Sequence, residues 1–203
     1  MSGDRIVISD EKNHKARRIP PPEPEGVVWF AMSAPYCREL KAQALLDEKG
    51  VENYVPMHYV IKEMHGRKKR FLVPVIHNLI FVHCTRDTIR KVKEGVDYLQ
   101  FKTIREAGKN VPIVVPDRQM EDFMRVCESH DASLCFFRPG EVDLARGTRV
   151  RINGGEFDGV SGVFIKLAGT RERRVVVEIP LVASVATAVV STDLIEIIKE
   201  DGK

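Results

Sequence analysis

The stretch from Gly147 to Ile165, GTRVRINGGEFDGVSGVFI, constrains the fold more than any other part of the chain. Val150 and Ile152 alternate with Arg149, Arg151 and Asn153, the period of two expected of a strand with one buried face. Gly154-Gly155 supplies a turn, Asp158-Gly159 a second bend, and Gly162 a place where two backbones can approach closely. Val163-Phe164-Ile165 is long enough for a second, buried strand. Downstream, Arg174–Ile179, Val182–Val190 and Leu194–Ile198 carry only β signals, so the chain from Leu144 onward is expected to close as a small SH3-like β-barrel.

The upstream half alternates differently. Val27–Met32 is apolar on both faces, as suits a central strand, and Tyr36–Lys49 has helical spacing with Leu40, Ala44 and Leu45 as its apolar stripe and Gly50 as a C-cap. A strand over Glu52–Tyr59 leads into a polar hairpin, Lys62–Arg70, then Phe71-Leu72-Val73. HNLIFVH over His77–His83 reads as another buried strand, Asp87–Glu94 as a helix with Ile89 and Val92 inward, and Tyr98–Phe101 as a further strand. Pro116-Asp117 starts a helix whose stripe is Met120, Phe123, Met124 and Cys127. This order predicts an α+β chain: a flexible arm over residues 1–26, an α/β sandwich with a mostly antiparallel sheet over 27–128, a linker over 129–143, and the barrel over 144–199.

Composition narrows the function classes. The 32 Lys and Arg against 29 Asp and Glu leave a net charge of +3, so basicity matters by location, not by sum. No apolar run is long enough to span a bilayer, and residues 1–24 lack the apolar centre of a signal peptide, which leads to the expectation of a cytoplasmic protein with no membrane contact. Cys37, Cys84, Cys127 and Cys135 show no C-x-x-C pairing and fit reduced thiols. His58, His65, His77 and His83, with Cys84, match no standard ligand spacing, so neither a metal nor a cofactor is expected. Phosphate-binding glycine loops, H-E-x-x-H and paired catalytic carboxylates are all missing, and the chain reads as a binding protein with no enzymatic activity.

Taken together, Trp29-Phe30, the helix over Arg38–Gly50, Tyr54-Val55-Pro56-Met57, the basic hairpin and Pro74–Val82 resemble the NGN domain of the NusG family. Gly147, Val150, Gly155, Phe157, Gly159 and Gly162 resemble its KOW motif. The resemblance covers about Val27 to Ile198. Ile76, His77 and Leu79 stand where the family pattern P-L-F-P-x-Y-x-F-V has an aromatic, a proline and a tyrosine. That departure favours a specialised antitermination paralogue of the RfaH or UpxY type over the housekeeping protein.

The resemblance implies a monomeric elongation factor that grips the clamp coiled coil of RNA polymerase through an apolar concavity. Trp29, Ser33, Ile76, Leu79 and Phe81 fall at or near that concavity, with core packing as the alternative role for each. The cations Arg67, Lys68, Lys69 and Arg70 would face upstream or non-template DNA, unless they form only a solvated loop. Phe157 would present an apolar side chain to a ribosomal protein or a termination factor, or plug its own hairpin. Arg171, Arg173 and Arg174 form a second basic tip that could touch RNA. By analogy with UpxY-type paralogues, the regulated genes would form a surface-polysaccharide operon; a ribosomal-type KOW protein that binds RNA is the alternative.

Overall fold

The computed structural model describes residues 26–166 and 173–198, so the arm before Gly26 and Arg171 lie outside the described residues. In chain order the elements are β1 (Val28–Ser33), α1 (Glu39–Glu48), β2 (Glu52–Tyr54), β3 (Met57–Met64), β4 (Arg67–Pro74), β5 (Leu79–Cys84) and α2 (Arg86–Glu94). There follow β6 (Gln100–Phe101), β7 (Thr103–Glu106), β8 (Lys109–Pro112), β9 (Val114–Val115), α3 (Asp117–Glu128) and β10 (Cys135–Phe137). The last are β11 (Thr148–Ile152), β12 (Ser161–Lys166), β13 (Arg173–Ile179), β14 (Ala183–Ala186), one 3-10 turn over Thr192–Leu194, and β15 (Ile195–Ile197).

β1 is central because both of its faces are apolar. It pairs antiparallel with β5, which also pairs with β2, while β6 and β9 pair with the other side of β1. Phe30, Met32, Ile80 and Val82 face α1 and α2, burying Ala42, Leu46, Ile89 and Val92 with them. Trp29, Ala31, Leu79 and Phe81 face the opposite way, onto Met120, Phe123, Val126 and Cys127 of α3.

The expected stripe on α1 is displaced. Leu40 is exposed, and the buried positions are Glu39, Ala42 and Leu46. A carboxylate thus holds an inward position that a hydrophobe usually takes. The expected Glu52–Tyr59 strand is also divided at Val55-Pro56: β2 joins the central sheet, and β3 leaves it for a separate two-stranded hairpin with β4. Pro56 has no N–H to give to a ladder, so the division falls there. His65 and Gly66, at φ 52 and 72, make the two-residue turn of that hairpin, the backbone geometry that matches the twist of its strands.

The C-terminal strands form one antiparallel sheet in the order β10-β14-β13-β12-β11-β15. Among the described residues this path is open, with β10 and β15 at its ends. Cys135–Phe137, inside the stretch read as a linker, is thus an edge strand paired with β14. Gly162 lies where β12 meets β13: a Cβ there would sit 2.5 Å from the Val176 carbonyl oxygen. The backbones approach at that point only because no side chain intervenes.

α3 is shared by both halves. It touches β1 and β3 on one side and β13 and β14 on the other. One apolar cluster runs from Trp29 and Phe81 through Met120 and Phe123 to Val175, Val177 and Ile179. Two polar bonds fix the second contact: Gln119 Nε2 donates to the Glu178 carbonyl oxygen at 2.7 Å, and the Ser161 N–H donates to Asp122 Oδ2 at 3.3 Å.

Candidate functional site

The concavity expected on the central sheet divides into a covered part and a reachable part. Trp29 is 4% exposed, and Leu79 and Phe81 are fully buried beneath α3, where the Phe81 and Phe123 rings meet edge to face at 5.8 Å. These three residues pack the core in this structure. Trp29 stacks on His83 at 4.7 Å, and His83 Nδ1 lies 2.6 Å from Glu52 Oε2, so the indole is clamped between strands and not offered to solvent. Ser33 and Ile76, at the other end of β1 and in the β4–β5 loop, are half-buried and accessible. Tyr54 is half-buried against the same cluster as Ile76. Burial, and secondarily the nearby Cys127, pushes the Tyr54 hydroxyl far above its ordinary range, so it stays a neutral, hydrogen-bonding group beside Cys127.

The β3–β4 hairpin separates its four cations by register. Met64 opposes Arg67, Glu63 opposes Lys68, Lys62 opposes Lys69 and Ile61 opposes Arg70. Side chains alternate along a strand, so Lys62, Met64, Arg67 and Lys69 share one face and Ile61, Glu63, Lys68 and Arg70 share the other. On the second face Lys68 has a carboxylate opposite it, and the Arg70 guanidinium lies 3.6 Å from the centre of the Tyr59 ring. Three cations, Lys62, Arg67 and Lys69, therefore form the strip with no acid on its face. Lys62 was not among the residues singled out from the sequence; the register of a tight two-residue turn would have placed it.

Phe157 is 6% exposed and belongs to the core cluster, so here it plugs its hairpin. Arg174 is buried too, with Nη1 donating to the carbonyl oxygens of Ser133 and Thr187; it ties the chain before β10 to the end of β14 and takes no part in a surface tip. A cleft of about 460 Å³ lies between α3 and the C-terminal sheet, lined among others by Arg118, Gln119, Asp122 and Ser161. Burial raises the Asp122 carboxyl above its ordinary value, with the Ser161 N–H opposing that rise.

A sequence model of the NusG family, described as transcription termination factor nusG, matches residues 27–124. That span carries a NusG-family domain. It includes β1 through most of α3 and with them the β3–β4 hairpin and the shared helix. No curated protein is significantly similar to the chain. Among solved structures, one described as domain interaction in Thermotoga maritima NusG is 20% identical, with 85% of this chain and 98% of that chain covered and a TM-score of 0.43. No described helix is long and apolar enough to cross a membrane.

Proposed function

We propose that this chain is a transcription elongation factor that docks on RNA polymerase through residues 27–128, lowers pausing or termination, and recruits a further factor through residues 144–199. The observation that carries the reading is the NusG-family domain at residues 27–124. Ile76 and Ser33 are the contacts on offer to a helical coiled coil, because they are the accessible residues of the five assigned to the concavity. Trp29, Leu79 and Phe81 support that surface from below. The strip of Lys62, Arg67 and Lys69 suits upstream or non-template DNA, since phosphate contact requires cations that no carboxylate has already neutralised.

The C-terminal sheet is assigned as a KOW unit, with closure into a barrel and the identity of its partner belonging to the proposal. Antitermination, in place of termination, rests on the departures at Ile76, His77 and Leu79 from the family pattern. The test is a single-round elongation assay on a template with pause and termination sites, run beside filter binding of free RNA. Longer read-through with weak RNA binding supports the proposal. Unchanged elongation with tight RNA binding that falls steeply with salt replaces it by a ribosomal-type RNA-binding role.

A further inference from the structure

At the N-terminus of α1, against the β4–β5 loop, three side chains of metal-ligating type converge, two of them neighbours in sequence and the third about forty residues away. Cys37 Sγ lies 3.8 Å from His77 Nδ1, and His77 Nδ1 lies 3.8 Å from Glu39 Oε1. The three ligand atoms all fall within 4.8 Å of one another. Tetrahedral zinc with Zn–S of about 2.3 Å and Zn–N or Zn–O of about 2.0 Å sets its ligands roughly 3.3–3.5 Å apart, so the two contacts of His77 need to contract by some tenths of an ångström, and a rotation of the exposed Cys37 brings its sulfur closer to Glu39.

Glu39 is the strongest sign that the cluster is built. It is 2% exposed at a position where the helix should carry a hydrophobe. Its Oε2 accepts one long bond, 3.4 Å, from the Asn78 N–H, while Oε1 is directed at His77. A buried carboxylate held this loosely gains greatly from a cation. Asn78 orients both sides of the cluster, because its Oδ1 also accepts from the Cys37 N–H at 3.0 Å. Such outer hydrogen bonds are what fix metal ligands in place. The cations next to the cluster in sequence, Arg38 and Lys41, lie over aromatic rings: the Arg38 guanidinium is 5.5 Å from the ring centres of both Tyr36 and Tyr98, and Lys41 Nζ is 5.0 Å from that of Tyr98.

We propose that Cys37, Glu39 and His77 bind a zinc-type divalent cation, with the fourth position open to water on the solvent side, where the His77 side chain is 64% exposed. The donor set of one sulfur, one nitrogen and one oxygen selects such a metal over magnesium or calcium, which require oxygen alone. Thiolate and carboxylate neutralise the cation, and binding releases the Cys37 thiol proton to solvent. The bound ion staples the start of α1 to the loop that carries Ile76.

The test uses the full chain, stripped with a chelator and titrated with Zn²⁺ against a chromophoric competitor, with Co²⁺ as the spectroscopic probe. The expected result is a single ion per chain, thiolate-to-cobalt charge transfer and the visible bands of tetrahedral Co²⁺. Affinity falls on the order of a hundredfold in Cys37→Ser and in His77→Ala, with unchanged far-UV circular dichroism, and is retained in Cys135→Ser. Absence of binding in the unaltered chain overturns the proposal, as does binding that survives in both ligand variants or is lost equally in Cys135→Ser.

Discussion

Replacing Phe123 by Ala should unfold both halves of the molecule more easily, not one. The side chain is fully buried on α3, its ring is 5.8 Å from that of Phe81, and it belongs to the cluster that continues to Val175 and Val177 of β13. Truncating a buried Phe costs about 3–5 kcal/mol, a large share of the roughly 5–15 kcal/mol that holds a domain folded. With a urea slope of about 2.5 kcal/mol/M, the midpoint falls by roughly 1.5 M. The assay reads itself out, because Trp29 is the only tryptophan and lies in the same cluster. Its fluorescence follows the central sheet, and far-UV circular dichroism follows all the strands. The two transitions should shift together. A loss under about 1 kcal/mol, or a fluorescence midpoint that moves while part of the dichroism unfolds at the unaltered midpoint, would refute α3 as the shared wall.

Gly162→Ala should destabilise by about 1–3 kcal/mol, because the new methyl meets the Val176 carbonyl oxygen at 2.5 Å in a paired strand that cannot retreat, whereas Gly95→Ala, whose nearest neighbour is 3.9 Å away, should be within about 0.5 kcal/mol of neutral; thermal melts compare them. Asp122 has its carboxyl raised in the folded state by burial, so the fold binds that proton more tightly than the unfolded chain does. Its contribution is therefore present at low pH and is lost as pH rises from the unfolded value of about 3.9 through the raised folded one; Asp122→Asn should remove that slope from urea midpoints measured across the range, and an unchanged slope would contradict the assignment. On the hairpin, replacing Arg67 and Lys69 by Ala should reduce the salt slope of DNA binding by about 1.8, and replacing Lys68 alone should leave it nearly unchanged.

Local periodicity made much of this fold legible. The apolar run of β1, the Ile89 and Val92 face of α2, and the Gly147–Ile165 hairpin all follow from side-chain alternation that any one segment carries by itself. What was missed depends on partners distant in sequence. The inward face of α1 could not be read because Glu39 turns inward onto the loop of His77 and Asn78, the latter 39 residues away. The stripe on α3 announced one buried face, but nothing local said that Gln119 and Asp122 would meet a second sheet. The β3–β4 hairpin illustrates the same limit more mildly: Arg67, Lys68, Lys69 and Arg70 look like one charge cluster in sequence, and only strand register divides them between two faces. Cys37 and His77 are 40 residues apart, so no spacing rule finds them.

The most direct test of the central claim is equilibrium binding of the full chain to core RNA polymerase by biolayer interferometry, with Ile76→Asp measured alongside. Saturable binding by the unaltered chain is predicted, together with its loss in the variant at unchanged circular dichroism and urea midpoint. Failure of the unaltered chain to bind, or undiminished binding by the folded variant, would contradict the account.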